Sequence, residues 1–227
     1  MAWSFTDKIS NSWIGMLIAR QIKKIEFSVM KYYHDEKTMK LLKRIMDEDK
    51  PFLLKPSELF LLYSFANLQK DVKGDYAEVG AFKGATAKAI CESKGNKAFH
   101  VFDTFEGLPK ITKLDQLFKK GMFKADYELV KEKLSSYPNV YVHKGLFPKT
   151  ATPIKNKKFA FVHLDVDIYQ STKDCIEFFY PRLSKNAILV SHDYHAAGVK
   201  KAFDDFFKNK PEKIVELPMS QCMIIKK

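Results

Sequence analysis

One stretch, Asp75 to Thr86, constrains the fold more than any other: Asp-Tyr-Ala-Glu-Val-Gly-Ala-Phe-Lys-Gly-Ala-Thr. An apolar run ending at Glu78 and Val79 meets Gly80 and Gly84, after which Ala85, Ala87, Ala89 and Ile90 begin a helix-like pattern. That order reads as strand, tight turn, helix. A glycine at such a turn takes backbone conformations closed to other residues and lets a ligand approach the main chain. The free N–H groups of the following helix favour electron-rich ligand atoms. The same residues also suit an ordinary strand-to-helix turn. The spacing Gly-x-x-x-Gly is not the dinucleotide pattern Gly-x-Gly-x-x-Gly, which argues against nicotinamide and flavin cofactors.

From this stretch onward strands and helices alternate. Strands are expected at Tyr76–Val79, Ala98–Asp103, Val140–His143, Phe159–Asp165 and Ala187–His192, and helices at Ala85–Ser93, Asp126–Ser135, Ser171–Leu183 and Ala196–Lys208. Five such units imply an α/β fold: a doubly wound, mostly parallel sheet with helices on both faces and ligands at the carboxyl ends of the strands. The tail differs. Lys213–Leu217 and Cys222–Ile225 flank Pro218-Met219-Ser220-Gln221 with no helix between them, so they read as a terminal antiparallel pair.

Residues 1 to about 50 read as helical, with Trp3, Phe5, Trp13, Ile14, Met16, Leu17 and Ile18 set among Arg20, Lys23 and Lys24. A tryptophan-bearing amphipathic segment of this kind lies on a membrane surface, packs on a partner subunit, or covers its own domain. Lys50-Pro51 interrupts it, and Ser57-Glu58 followed by an apolar run opens a new helix leading to the first strand.

The bulk numbers bound the class. A chain of 227 residues, 46% hydrophobic, suits one large domain with an ample core. Its three cysteines, Cys91, Cys175 and Cys222, are widely spaced with no Cys-x-x-Cys. That count argues against a disulfide framework or zinc ribbon and for a reducing, cytoplasmic setting. No apolar stretch of about 18 uncharged residues is present, and the start lacks the h-region and cleavage site of a signal peptide. The net charge of +12 raises the possibility of nucleic acid, yet only Arg20, Arg44 and Arg182 among the 39 basic residues are arginine. Lysine at this density covers a solvated surface, suits an acidic small substrate, or is drawn to an anionic membrane.

Four of the five parallel strands end in polar groups, Glu78, Asp103, Asp165 and the pair His192-Asp193. Strand carboxyl ends converge on one rim, so these acids are expected to line a common cleft, where a buried carboxylate needs a cation, a metal or a ligand hydroxyl. Asp103 sits 25 residues after Glu78, a spacing that suits a ribose diol or, alternatively, a helix N-cap. Alternation sends His163, Asp165 and Asp167 to one side if the strand runs that far; otherwise Asp167 caps the next helix, and His163 reads as a packing residue. Asp165 and Asp193 on neighbouring strand ends suit a hard divalent cation, with His192 as a further ligand, a proton acceptor, or a residue turned away.

At these residues the chain resembles the macrocin O-methyltransferase (TylF/MycF-like) family of class I S-adenosylmethionine-dependent methyltransferases. The matching pieces are residues 74–84, Val-Phe-Asp-Thr-Phe-Glu-Gly-Leu-Pro at 101–109, His-Leu-Asp-Val-Asp-Ile-Tyr-Gln-Ser-Thr at 163–172, and Ser-His-Asp-Tyr at 191–194 followed by Gly198 and Ala202. The resemblance implies a seven-stranded Rossmann-like methyltransferase domain, placed over residues 56–227; the helical extension over 1–55 lies outside the resemblance and is expected to serve as lid, dimer contact or membrane-surface contact. It implies that Glu78, Val79, Gly80, Ala81, Gly84, Ala85 and Thr86 line the cofactor, that Asp103 holds the ribose hydroxyls with Thr104 and Phe105 nearby, and that Asp165 touches the cofactor as well. Asp165 and Asp193, with His192 beside them, would bind Mg2+, and Asp165 would be the catalytic base with His192 as the alternative. The macrolide-sugar enzymes carry a second acid where His192 stands. The expected activity is transfer of a methyl group to a hydroxyl of a sugar, glycan or similar polyol, helped by a divalent metal. A non-catalytic cofactor-binding or membrane-associated scaffold and an RNA methyltransferase remain the alternatives. The acceptor pocket is expected to be shaped by the first 50 residues and the loop Lys110–Lys124.

Overall fold

A computed structural model describes residues 13–48 and 53–227. The expectations for Trp3, Phe5, Lys50 and Pro51, and for the side chains of Trp13, Ile14 and Met16, lie outside the described residues. The chain divides into two compact units, Met1–Phe60 and Leu61–Lys227.

In the first unit, helices α1 (Trp13–Tyr33) and α2 (Glu36–Glu48) precede α3 (Pro56–Leu68), which runs on into the second unit. Asp35 caps α2, its carboxylate accepting from the Thr38 amide at 2.8 Å. Met39, Leu42 and Ile45 recur every three residues along α2 and are buried together with Met30 of α1. At the start of α3, Glu58 accepts from the Lys55 amide at 2.7 Å, a reach-back carboxylate that satisfies a first-turn donor. No helix among the described residues is long and apolar enough to cross a membrane.

The second unit is one seven-stranded sheet in the order β3-β2-β1-β4-β5-β7-β6. The strands are β1 (Asp75–Val79), β2 (Phe99–Asp103), β3 (Val140–Lys144), β4 (Phe159–Leu164), β5 (Leu183–Ser191), β6 (Val215–Glu216) and β7 (Cys222–Ile225). β1 to β5 pair in parallel, and β7 runs antiparallel to β5 and β6. Thus the five alternating units and the terminal antiparallel pair are as the sequence indicated. Boundaries moved: β4 stops at Leu164 and β5 at Ser191, β5 begins four residues before Ala187, and the first tail strand is only Val215–Glu216.

Both faces of the sheet are covered, as parallel strands require. On one face Tyr76, Val101, Phe161 and Val190 pack with α4 (Ala85–Ser93) and α5 (Tyr127–Leu134) through Ala87, Ile90, Val130 and Leu134. On the other, Ala77, Val79, Phe102, Val162 and Leu189 pack with α6 (Tyr169–Phe179) and α7 (Ala197–Phe207) through Ile176, Phe179, Val199 and Phe203. Strand alternation therefore sorts every second residue into one of two cores.

At the β3 edge two histidines are drawn into this second face. His100 lies 3.3 Å from both His143 and Asp75, while Lys157 holds Asp75 at 2.6 Å. Burial, opposed by the Asp75 hydrogen bond, pushes His100 down to about 4, and burial also lowers His143. Folded, these rings are neutral, whereas in the unfolded chain they take up protons near pH 6.5. Their contribution to stability is therefore intact above about pH 6.5 and is lost as the pH falls towards 4. Denaturant unfolding followed by circular dichroism should show an unfolding free energy that declines across this window, by up to about 2 kcal/mol after solvent screening, and His100→Gln should flatten most of that decline.

Candidate active site

The carboxyl ends of β2, β1, β4 and β5 are stitched to one another by single backbone hydrogen bonds just beyond the sheet. Gly80 N donates to Phe102 O at 2.8 Å, Asp165 N to Val79 O at 2.9 Å and His192 N to Leu164 O at 2.9 Å. This brings Gly80, Asp103, Asp165, His192 and Asp193 onto one rim, and Glu78 sits one turn of the pleat below it.

Asp103 is fixed by two amides. Its Oδ2 accepts from Phe82 N at 2.8 Å and its Oδ1 from Phe105 N at 2.7 Å, so the glycine-flanked turn after β1 and the turn after β2 share one carboxylate. Burial pushes the Asp103 carboxyl above the usual carboxylate pKa, against the pull of these amides. Each oxygen keeps a second lone pair for a ligand donor. Thr104 turns aside and donates to Gly107 O at 2.8 Å.

Gly80 and Gly84 both hold positive φ, +94° and +83°. A Cβ on Gly80 would fall 1.8 Å from the carbonyl oxygen of Asp165, and one on Gly84 would meet Val130 of α5 at 3.2 Å. What occupies the space is the backbone of β4's end, and the glycine's immediate role is to let two strand ends close together.

Glu78 and His163, neighbours in register across β1 and β4, form a fully buried pair with Glu78 Oε1 2.8 Å from His163 Nδ1. His163 is accordingly a hydrogen-bonded packing residue. Glu78 Oε2 and His163 Nε2 are buried with no hydrogen-bond partner among the described residues.

Across β4 and β5, ligand atoms of Asp165, His192 and Asp193 lie within 4.8 Å of one another. His192 Nδ1 is 3.0 Å from Asp193 and 3.4 Å from Asp165, and its Nε2 is 3.1 Å from the Ser220 hydroxyl. The ring is thus turned towards the acids, with both nitrogens engaged. Asp167 and Asp193 both adopt left-handed backbone, φ +62° and +54°, which short acidic side chains tolerate. Asp167 therefore does not continue β4. Its carboxyl is pushed well above the ordinary value, first by burial and then by the charges of Asp165 and Asp193. Asp193 is itself lowered: burial opposes its charge, but the His192 hydrogen bond and charge outweigh that. Crowded carboxylates of this kind hold a proton between them or take up a cation. The donor set of two carboxylate oxygens and one imidazole nitrogen fits a divalent cation.

Contacts between segments far apart in the chain pin the loop after β2 against this rim. Asp115 is buried; it accepts from Thr112 N and Oγ1 and from Tyr169 N, the last at 2.8 Å across 54 residues. It serves as a remote cap for α6, in the place of a local N-cap side chain. Gly198 on α7 makes room for it, since a Cβ there would come within 2.2 Å of Asp115 Oδ1. Farther along, Phe123 packs edge-on to Phe82 of the β1 turn and to Phe118.

A seven-stranded sheet in this order, with acids gathered at its carboxyl rim, defines the class I methyltransferase fold. Solved structures agree. The O-methyltransferase NovP superposes with a TM-score of 0.66 at 19% identity, covering 75% of this chain and 79% of that one. The calicheamicin methyltransferase CalS11 gives 0.66 at 16% identity, covering 85% and 94%. In sequence, the 8-demethyl-8-(2,3-dimethoxy-alpha-L-rhamnosyl)-tetracenomycin-C 4'-O-methyltransferase of Streptomyces olivaceus is 27% identical over 156 residues, 61% of this chain and 60% of that protein. The mycinamicin III 3''-O-methyltransferase of Micromonospora griseorubida is 26% identical over 158 residues, 61% of this chain and 62% of that protein. The chain thus spans under two thirds of the length of both curated relatives. The macrocin-O-methyltransferase (TylF) family model matches residues 65–222, and the chain belongs to that family.

Gly198→Ala should force Asp115 and the segment 112–122 away from α6. A loss of roughly 1–3 kcal/mol in denaturant unfolding is expected, with faster proteolysis within that segment. Unchanged stability and unchanged cleavage would mean that the loop is not anchored there.

Proposed function

We propose that this protein is an S-adenosylmethionine-dependent O-methyltransferase, assisted by a divalent cation, acting on a hydroxyl of a sugar or similar polyol. The observation carrying this reading is the convergence of Asp165, His192 and Asp193 on the same rim as the doubly anchored Asp103. The sugar acceptors named for the two sequence relatives support the acceptor class. The net charge of +12 favours an anionic form of it, such as a sugar carrying phosphate.

S-adenosylmethionine would supply an activated methyl group on a sulfonium, and a cation such as Mg2+ would stabilise negative charge on the acceptor oxygen. Glu78, Val79, Gly80, Ala81, Gly84, Ala85 and Thr86, with Asp103, Thr104, Phe105 and Asp165, would hold the cofactor. Asp103 orients a diol through the lone pairs left free by the amides of Phe82 and Phe105. The unpartnered Oε2 of Glu78, kept in place by His163, offers an acceptor to a donor on the cofactor's methionine end or to a bridging water. Asp165, Asp193 and His192 would hold the cation.

With the acceptor hydroxyl aligned beside it, Asp165 takes the proton as the oxygen attacks. His192 is the weaker candidate for base because Asp193, Asp165 and Ser220 occupy its two nitrogens. Three buried free thiols support a reducing, cytoplasmic setting.

Asp165→Asn should keep affinity for S-adenosylhomocysteine, measured by calorimetry, within a few fold, while methyl transfer falls by roughly 10²–10⁴. EDTA should abolish wild-type turnover and added Mg2+ or Mn2+ should restore it. Near-normal turnover of Asp165→Asn, or turnover indifferent to EDTA, would remove the assigned roles. Absence of any S-adenosylhomocysteine binding would remove the methyltransferase reading itself.

A further inference from the structure

Helix α1 carries an exposed apolar stripe with a regular period. Ile18, Ile22, Ile25, Val29 and Tyr32 follow one another at spacings of four, three, four and three, and their exposures run from 49% at Ile18 to 85% at Tyr32. That spacing is the a/d seam of a helix pair, over about 21 Å of helix. The opposite side of α1 is already used within its own unit, where Met30 is buried and Lys23 donates to Leu53 O at 3.0 Å, while Glu26 at the flank accepts from Ser57 N at 3.1 Å.

The charges tell what kind of surface the stripe fits. In this register Arg20, Lys23, Lys24 and Lys31 occupy positions f, b, c and c, away from the seam. Its flanking e and g positions hold Ala19, Gln21, Glu26, Ser28 and Tyr33. A chain of net charge +12 repels its own copies wherever lysines meet, yet two such helices laid together bring no lysine or arginine face to face. A helix lying on an anionic membrane keeps its cations beside the apolar stripe to reach the headgroups, and here they sit largely on the far side. With Tyr33 at a flanking e position, the stripe forms one continuous exposed apolar face on α1.

We infer that α1 is a self-association surface, and that two copies of this chain pair through the Ile18–Tyr32 stripe about a two-fold axis near Ile25. Ile25 is the middle of the stripe, so in an isologous pair it meets its own counterpart whether the helices run parallel or antiparallel.

The full chain is examined by sedimentation velocity up to about 100 µM, since pairing of two copies depends on their concentration. The expected result is a dimer. Ile25→Asp should weaken it by roughly 100-fold or more, since an unpaired carboxylate would be buried at the centre, with helical content and S-adenosylhomocysteine affinity unchanged. Ile25→Cys should give a disulfide-linked dimer under mild oxidation and Lys24→Cys should not, a comparison made clean by burial of all three native thiols; it decides the matter even if Ile25→Asp fails to fold. A wild-type chain that is monomeric throughout the range overturns the inference. So does a dimer indifferent to Ile25→Asp and untrapped by Ile25→Cys. A monomer that pelts with phosphatidylserine–phosphatidylcholine vesicles, or that dimerises only when residues 1–12 are deleted, overturns it in favour of a membrane or of the chain's own first segment.

Discussion

The site depends on a modest set of interactions, the three backbone hydrogen bonds that join Gly80 to Phe102, Asp165 to Val79 and His192 to Leu164. Each is made one residue past a strand, where a parallel ladder would otherwise fray into loops. Because they continue the ladder, the side chains of four separate sequence regions arrive at the rim with fixed spacing rather than on independent loops. Gly80 is the residue that allows the closest of these approaches, since only a hydrogen fits where its side chain would meet the Asp165 carbonyl. An enzyme needing alignment more than exotic chemistry gains most from such rigidity.

Electrostatics then divides the rim in two. On the β1 and β2 side each acid is answered by fixed partners, Asp103 by two amides and Glu78 by His163. On the β4 and β5 side, Asp165, Asp167 and Asp193 crowd around one imidazole, whose hydrogen bond and charge favour the ionised form of Asp193 while burial and the neighbouring carboxylates drive Asp167 towards its protonated form. A nucleoside hydroxyl suits the first environment and a cation with an acceptor oxygen suits the second. The division follows from which strand ends are adjacent, not from any one motif.

Much of this was legible from residue order. Period-two apolar strands, glycines at the first turn and acids at strand ends gave the sheet and its rim, because those signals are local. The lost parts are non-local. Asp115 capping α6 across 54 residues, Gly198 yielding space to it, and Ser220 turning His192 are contacts between distant segments, with no spacing rule to announce them. The packing of Gly80 against the Asp165 carbonyl is non-local for the same reason, since the two lie 85 residues apart. His163 reads as a packing residue from its place in the strand, yet its partner Glu78 is set by the register of two strands, which no sequence spacing announces.

The central claim is that one rim serves both nucleoside and cation. Diffraction from crystals grown with S-adenosylhomocysteine and Mn2+ tests it most directly, using the anomalous signal of manganese to locate the ion. The account requires one anomalous peak within bonding distance of Asp165, His192 and Asp193, with the ribose hydroxyls against Asp103 in the same hollow. A nucleoside bound away from Asp103, or a peak that touches none of those three side chains, would contradict it.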